Sequence, residues 1–99
     1  MISITITPHT LTSVGHAIIE GGDQNIICAV VSLVCQQLEF AHTQWSIPNS
    51  YTLVRESGKF ELSCHTSNKK LKIAKELIVG SLKVLHKQFP DQINLHEVK

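Results

Sequence analysis

The run Ile26-Ile27-Cys28-Ala29-Val30-Val31-Ser32-Leu33-Val34-Cys35-Gln36-Gln37-Leu38-Glu39-Phe40 decides how the rest of the chain must fold. Its β-branched residues suit a strand, but fifteen residues without a breaker exceed the usual strand of about five or six. A helix over 26–40 is expected instead, with Asp23 or Asn25 as its N-cap. Because the run is apolar nearly all round, it is expected to be the central and most buried element.

Working outward from that helix, Ile2, Ile4 and Ile6 alternate with Ser3, Thr5 and Thr7, the period of a half-buried strand that Pro8 ends. Leu11 to Ala17 reads as its return strand. The segment Gly21-Gly22-Asp23-Gln24-Asn25 then reads as a loop, with two residues of free φ followed by three that favour turns and caps. On the far side of the helix, Ala41 to Ser50 reads as a connection. Tyr51–Arg55 and Lys59–Cys64 flank Glu56-Ser57-Gly58 as a hairpin. A second helix over 68–88 is capped by Ser67 or Asn68, with Leu71, Ala74, Leu77, Ile78, Leu82, Leu85 and Phe89 at helical spacing facing inward. Gly80 in its middle predicts a close approach by another backbone, that of the first helix. Pro90 stops the helix, and Ile93, Leu95 and Val98 mark a last strand. The order β-β-α-β-β-α-β makes the chain an α+β two-layer sandwich, with two helices on one face of a mixed or antiparallel sheet.

The chain has 99 residues, 42% of them apolar and 17% charged. That composition describes a single domain, 1–99, and excludes disordered and low-complexity classes. The formal net charge of +1 provides no global field for nucleic acid or anionic membrane. All nine basic side chains fall in residues 51–99, whereas residues 1–50 carry only Glu20, Asp23 and Glu39. Either the first half is the buried half, or its negative field serves a basic substrate. Three cysteines, without a C-x-x-C pair, suit a reducing compartment. The N-terminus lacks the cationic lead of a signal peptide, and Ile26–Cys35 falls short of the roughly 18 apolar residues of a bilayer span, so a cytoplasmic location is expected. Neither a phosphate-cradling motif nor a metal-ligand spacing is present in the sequence, and no cofactor is expected. Lys69, Lys70, Lys72 and Lys75 form a basic stripe without interleaved aromatics, which reads as a solvated helix face and not as a nucleic-acid platform.

One constellation carries chemistry. Cys28 falls in the first turn of the first helix, where free N–H groups and the positive end of the macrodipole favour a thiolate, and His16 lies at the end of the second strand. Together they could form a thiolate–imidazolium nucleophile, with the free N–H groups of that turn as an oxyanion hole. The alternative is that Cys28 is a small buried hydrophobe. Cys35, two turns deeper, and Cys64, on a strand, read as structural.

Gly15-His16-Ala17, followed twelve residues after His16 by the cysteine of Asn25-Ile26-Ile27-Cys28-Ala29-Val30-Val31-Ser32, resembles the G-H-A … D-I-V-C-A-A-V-S signature of the ribosomal-processing cysteine protease (Prp) family. The step Gly80-Ser81-Leu82 and the ending Phe89-Pro90-Asp91-Gln92-Ile93 extend the resemblance over nearly the whole chain. It implies an endopeptidase that removes the short N-terminal extension of a large-subunit ribosomal protein, number twenty-seven, during ribosome maturation. Carried over by position, Cys28 is the nucleophile, His16 the base, and Ser32 a supporting residue. The resemblance also implies a homodimer. The sequence departs from the family before the cysteine: Asp23-Gln24-Asn25 replaces a Gly and an Asp, and the glycines move to Gly21-Gly22. Asn25 can still cap the helix, Asp23 is the carboxylate available to orient His16, and Gly21-Gly22 become the hinge of a gating loop. The competing function is a non-catalytic ribosome-associated binding module that uses the Lys-rich second helix.

Overall fold

A computed structural model describes residues 1–15, 24–45, 50–56, 58–64 and 68–98. Strands β1 (Ile2–Ile6) and β2 (Thr10–Gly15) precede helix α1 (Gln24–Trp45). Strands β3 (Tyr51–Glu56) and β4 (Lys59–Cys64), helix α2 (Lys69–Gln88) and strand β5 (Ile93–Glu97) follow. The sheet has the order β3-β4-β2-β1-β5, antiparallel except for β1 against β5, so it is mixed. This is the α+β sandwich that the sequence predicts, with its element order.

The alternation in β1 sets the core. Ile2, Ile4 and Ile6 are at most 3% exposed and point to one face, where Leu11, Leu62 and Ile93 from neighbouring strands join them. Each such side chain contributes roughly 1.5–3 kcal/mol through its removal from water. The β3–β4 hairpin pairs Glu56 with Lys59, and Gly58 supplies a positive φ of 71° in the short connection between them. Tight hairpin connections need such a φ to match the twist of the strands. Asn68 caps α2, its side chain accepting hydrogen bonds from the backbone N–H groups of Lys70 at 2.9 Å and Leu71 at 3.3 Å. Two donors of the first turn are thereby satisfied. At the other end the Phe89 N–H donates to Leu85 O before Pro90 stops the chain.

Four expectations need correction. Helix α1 starts at Gln24 and continues to Trp45 instead of stopping at Phe40, so the start of the expected connection is helical. It is not buried on most sides either. Ile27, Val31, Val34, Cys35, Leu38, Ala41 and His42 form a buried flank, but Ile26, Leu33 and Phe40 are exposed on another. A helix resting on one sheet and one neighbouring helix has contacts over only part of its circumference, so apolarity all round does not mean burial all round. Over Ile26–Trp45 the helix meets the length and composition of a membrane span, and the buried flank on the sheet accounts for part of that apolarity. On α2, Leu77 (70% exposed) and Phe89 (38%) face outward while Val79 (8%) is buried, because the buried arc centres on Leu71, Ile78 and Leu82. Gly80 is exposed, and a Cβ built there meets nothing within 4 Å. No backbone approaches it closely.

Two expected outcomes follow from this packing. Gly80→Ala should stabilise the protein by about 0.5–1 kcal/mol, since it reduces unfolded-chain entropy at no steric cost; a rise of a few degrees in Tm checks this, and a fall would mean a packed neighbour. His42 is 3% exposed, with its ring 4.9 Å from that of Tyr51. Burial first, and then the Lys75 cation, push its imidazole below the usual 6.5. The unfolded chain therefore binds the extra proton more readily, and stability should fall as pH drops through the unfolded value toward the depressed folded one. Tm measured between pH 7.5 and 5.5 should decline more steeply for the parent protein than for His42→Phe; equal slopes would contradict the assignment.

Candidate active site

Side-chain volume along β2 opens a hollow at one end of the sandwich. Its core-facing positions run Leu11, Ser13, Gly15, shrinking toward the end of the sheet over which the first turns of α1 lie. The result is a recess of about 280 Å³ lined by Ser13, Gly15, Cys28, Ser32, Gln36, Arg55 and neighbouring residues. Cys28 is half-buried, packed against the core on one side and lining this recess on the other.

Gly15 is the last residue of β2. Its φ of 106° is one that L side chains rarely adopt, and a Cβ there would overlap the Met1 carbonyl oxygen. Only glycine takes such a conformation without cost. Its N–H donates to Gly58 O at 2.8 Å, tying the strand end to the β3–β4 turn. The residue that follows is His16, which lies outside the described residues together with Gly21, Gly22 and Asp23. The expected dyad separation, the orienting carboxylate and the gating loop therefore lie outside them too.

Two supporting residues are repositioned. Asn25 lies inside the first turn of α1 and not ahead of it as the cap, and Cys28 is consequently the fifth helical residue instead of the third. The macrodipole fades within the first turn, and Cys28 lies just beyond that turn. The Cys28 N–H, at that position, is engaged by the helix, and the donors a helix leaves free lie in the turn ahead of it. Ser32 accepts a hydrogen bond from Gln36 Nε2 at 3.0 Å. Nothing in the sequence marks Gln36 except its spacing of eight residues from Cys28, which sets it on the same flank of α1.

Arg55, Glu56 and Lys59 supply the charge of the recess, all from the second half of the chain. Arg55 is also paired with Glu39 of α1 at 3.2 Å. Such an exposed contact carries small energetic weight, but it ties hairpin to helix. Of the three carboxylates of residues 1–50, Glu39 is the one among the described residues, and it does not line this recess. Cys35 is 1% exposed, and burial pushes its thiol up to about 12. A thiol so far from ionisation is inert. Cys64 lines a second, larger recess at the opposite end of the sheet. Among the described residues no three His, Cys, Asp or Glu side chains converge to hold a metal ion.

No protein-family model matches the sequence. The ribosomal processing cysteine protease Prp of Mycoplasma pneumoniae is 28% identical over 99 residues, 98% of this chain and 95% of that protein. The crystal structure of the Staphylococcus aureus ribosomal processing protease Prp with a covalently linked product peptide superposes with a TM-score of 0.84 at 20% identity, covering 99% of this chain and 100% of the other. The same protease with a substrate peptide gives 0.84 at 19% identity, with the same coverage. The sequence thus aligns nearly end to end with one ribosomal processing cysteine protease, and the fold matches that of another over its whole length.

Proposed function

We propose that this chain is a cysteine endopeptidase that removes the short N-terminal extension of a large-subunit ribosomal protein, number twenty-seven, using Cys28 as nucleophile and His16 as base. The observation that carries the reading is the half-buried Cys28 thiol, which lines a recess one turn into a helix in a chain with the fold of proteases solved with bound peptides. A product peptide covalently linked to the Staphylococcus aureus relative fits chemistry through an enzyme-bound intermediate.

In this mechanism the imidazole of His16 takes the Cys28 proton and the thiolate attacks the scissile carbonyl carbon. N–H groups ahead of Cys28 in α1 stabilise the oxyanion of the tetrahedral intermediate. Its collapse breaks the C–N bond, and the imidazolium protonates the departing amine. Water, deprotonated by the same imidazole, then hydrolyses the thioester and returns the thiol. Asp23 orients the imidazole, the Ser32–Gln36 pair shapes the recess wall, and Gly21-Gly22 hinge a loop over the peptide. Cys28, Cys35 and Cys64 form no disulfide, which fits action in the reducing cytoplasm. We also infer a homodimer: α1 turns Ile26, Leu33 and Phe40 to solvent, and α2 does the same with Ile73, Leu77 and Val84, all more than half exposed on two helices that pack together.

Cys28 should alkylate at pH 7 about ten-fold or more faster than Cys64, with Cys35 unreactive. Cys28→Ala and His16→Ala should abolish cleavage of a peptide spanning the extension, whereas Cys35→Ala should cost roughly 1–2 kcal/mol of stability and leave cleavage intact. Full activity in Cys28→Ala would remove Cys28 from the mechanism, and no cleavage by the parent protein would leave the Lys-rich binding module as the function. Sedimentation should give a dimer that Leu33→Glu with Leu77→Glu converts to a folded monomer; a monomeric parent protein at micromolar concentration would remove the dimer from the account.

A further inference from the structure

The larger recess has a volume of about 1040 Å³. That is at the top of the range of roughly 300–1,000 Å³ typical for small-molecule sites. It shares no lining residue with the recess of Cys28, and the proposed mechanism does not use it. It lies between the flank of α2 and the ends of β1, β2, β4 and β5. Thr7 holds the β1–β2 turn, accepting from the Thr10 N–H at 3.0 Å. On α2, Gly80 offers no side chain to the wall, which leaves that side open.

Its bed is apolar. Ile6, Leu11, Leu38, Leu62, Leu71 and Val79 line it from five elements, each at most 8% exposed. Its charge is unbalanced, with Lys72, Lys75 and Lys83 against Glu76 and Glu97, and Lys83 is taken by Glu97 at 3.0 Å. Lys75 is half-buried, and its Nζ donates to the Thr7 carbonyl oxygen. An ammonium has three N–H donors, and among the described residues Lys75 makes no ion pair with a carboxylate. Desolvation lowers its pKa, and the opposing pull of Cys64 and Glu97 does not restore it. A cation at the edge of a leucine-lined hollow matches a ligand with one anionic head and a long apolar tail.

We propose that this recess binds a medium-chain fatty carboxylate, its head on Lys75 and Lys72 and its tail along the leucine bed beneath α2. The site is independent of the protease reading and stands or falls without it. Cys64 lines the recess and Cys28 does not, so occupancy has a built-in reporter.

The test uses the intact chain and decanoate below its micellar concentration, with the alkylation rates of Cys64 and Cys28 read by peptide mapping. Saturating decanoate should slow labelling of Cys64 at least five-fold and leave Cys28 unchanged. Octanoate should bind roughly ten-fold more weakly, as expected for two fewer buried methylenes. Decanol, with the tail but no charge, and Lys75→Met should each lose about ten-fold in apparent Kd, while Lys75→Arg retains binding. Gly80→Leu, which adds bulk to a wall where a Cβ meets nothing within 4 Å, should weaken binding in a folded protein and decides the matter if Lys75→Met fails to fold. Absent protection, equal protection of both cysteines, or decanol binding as tightly as decanoate would overturn the proposal.

Discussion

Helix α1 rests on the isoleucine face of β1, and the rest of the molecule takes its position from that contact. Ile2, Ile4 and Ile6 present a flat apolar strip that only an equally apolar flank can cover, and Ile27, Val31, Val34, Cys35 and Leu38 cover it. Once that flank is seated, the rotation of α1 about its axis is set, and Cys28 is carried to the boundary between core and recess. Shifting the seated flank by one residue would turn Cys28 by about 100° and separate it from the hollow that Ser13 and Gly15 leave. The setting of Cys28 and the core are consequently one arrangement, as expected where a small chain has little surface to divide between folding and function.

The strands and both helices were legible because each is written in a simple period: two for β1, three and four for α2, with Asn68 and Pro90 bounding the latter. The extra turn of α1 beyond Phe40 was not, because Ala41 to Trp45 has no breaker and no strong pattern. The outward stripes of both helices were hidden for a different reason. Composition reports that a residue is apolar, and only the number of neighbouring elements reports whether that side has anything to pack against. Gly80 illustrates the same point: a helical glycine signals a missing side chain, and the structure supplies open space where the sequence suggested a backbone.

At the candidate site, Cys28 was legible from its helix and from the motif around it, and Gly15 from its place before His16. Gln36 was not, since a glutamine on a solvent-facing helix flank carries no signal until Ser32 is seen to accept from it. The cluster of His42, Cys64 and Lys75 was equally invisible, because its members come from three elements and meet only when α2 crosses the ends of the strands. The molecule thus holds two thiols beside cavities, at opposite ends of one sheet, and we assign peptide chemistry to one of them.

The most direct measurement of that assignment is covalent capture by substrate-like peptide. A peptide carrying the residues before the cleavage point and a C-terminal chloromethyl ketone, incubated with the intact protein and mapped by mass spectrometry, should mark Cys28 in one-to-one stoichiometry and spare Cys64 and Cys35. Capture on Cys64, or equal capture on Cys28 and Cys64, would contradict the account.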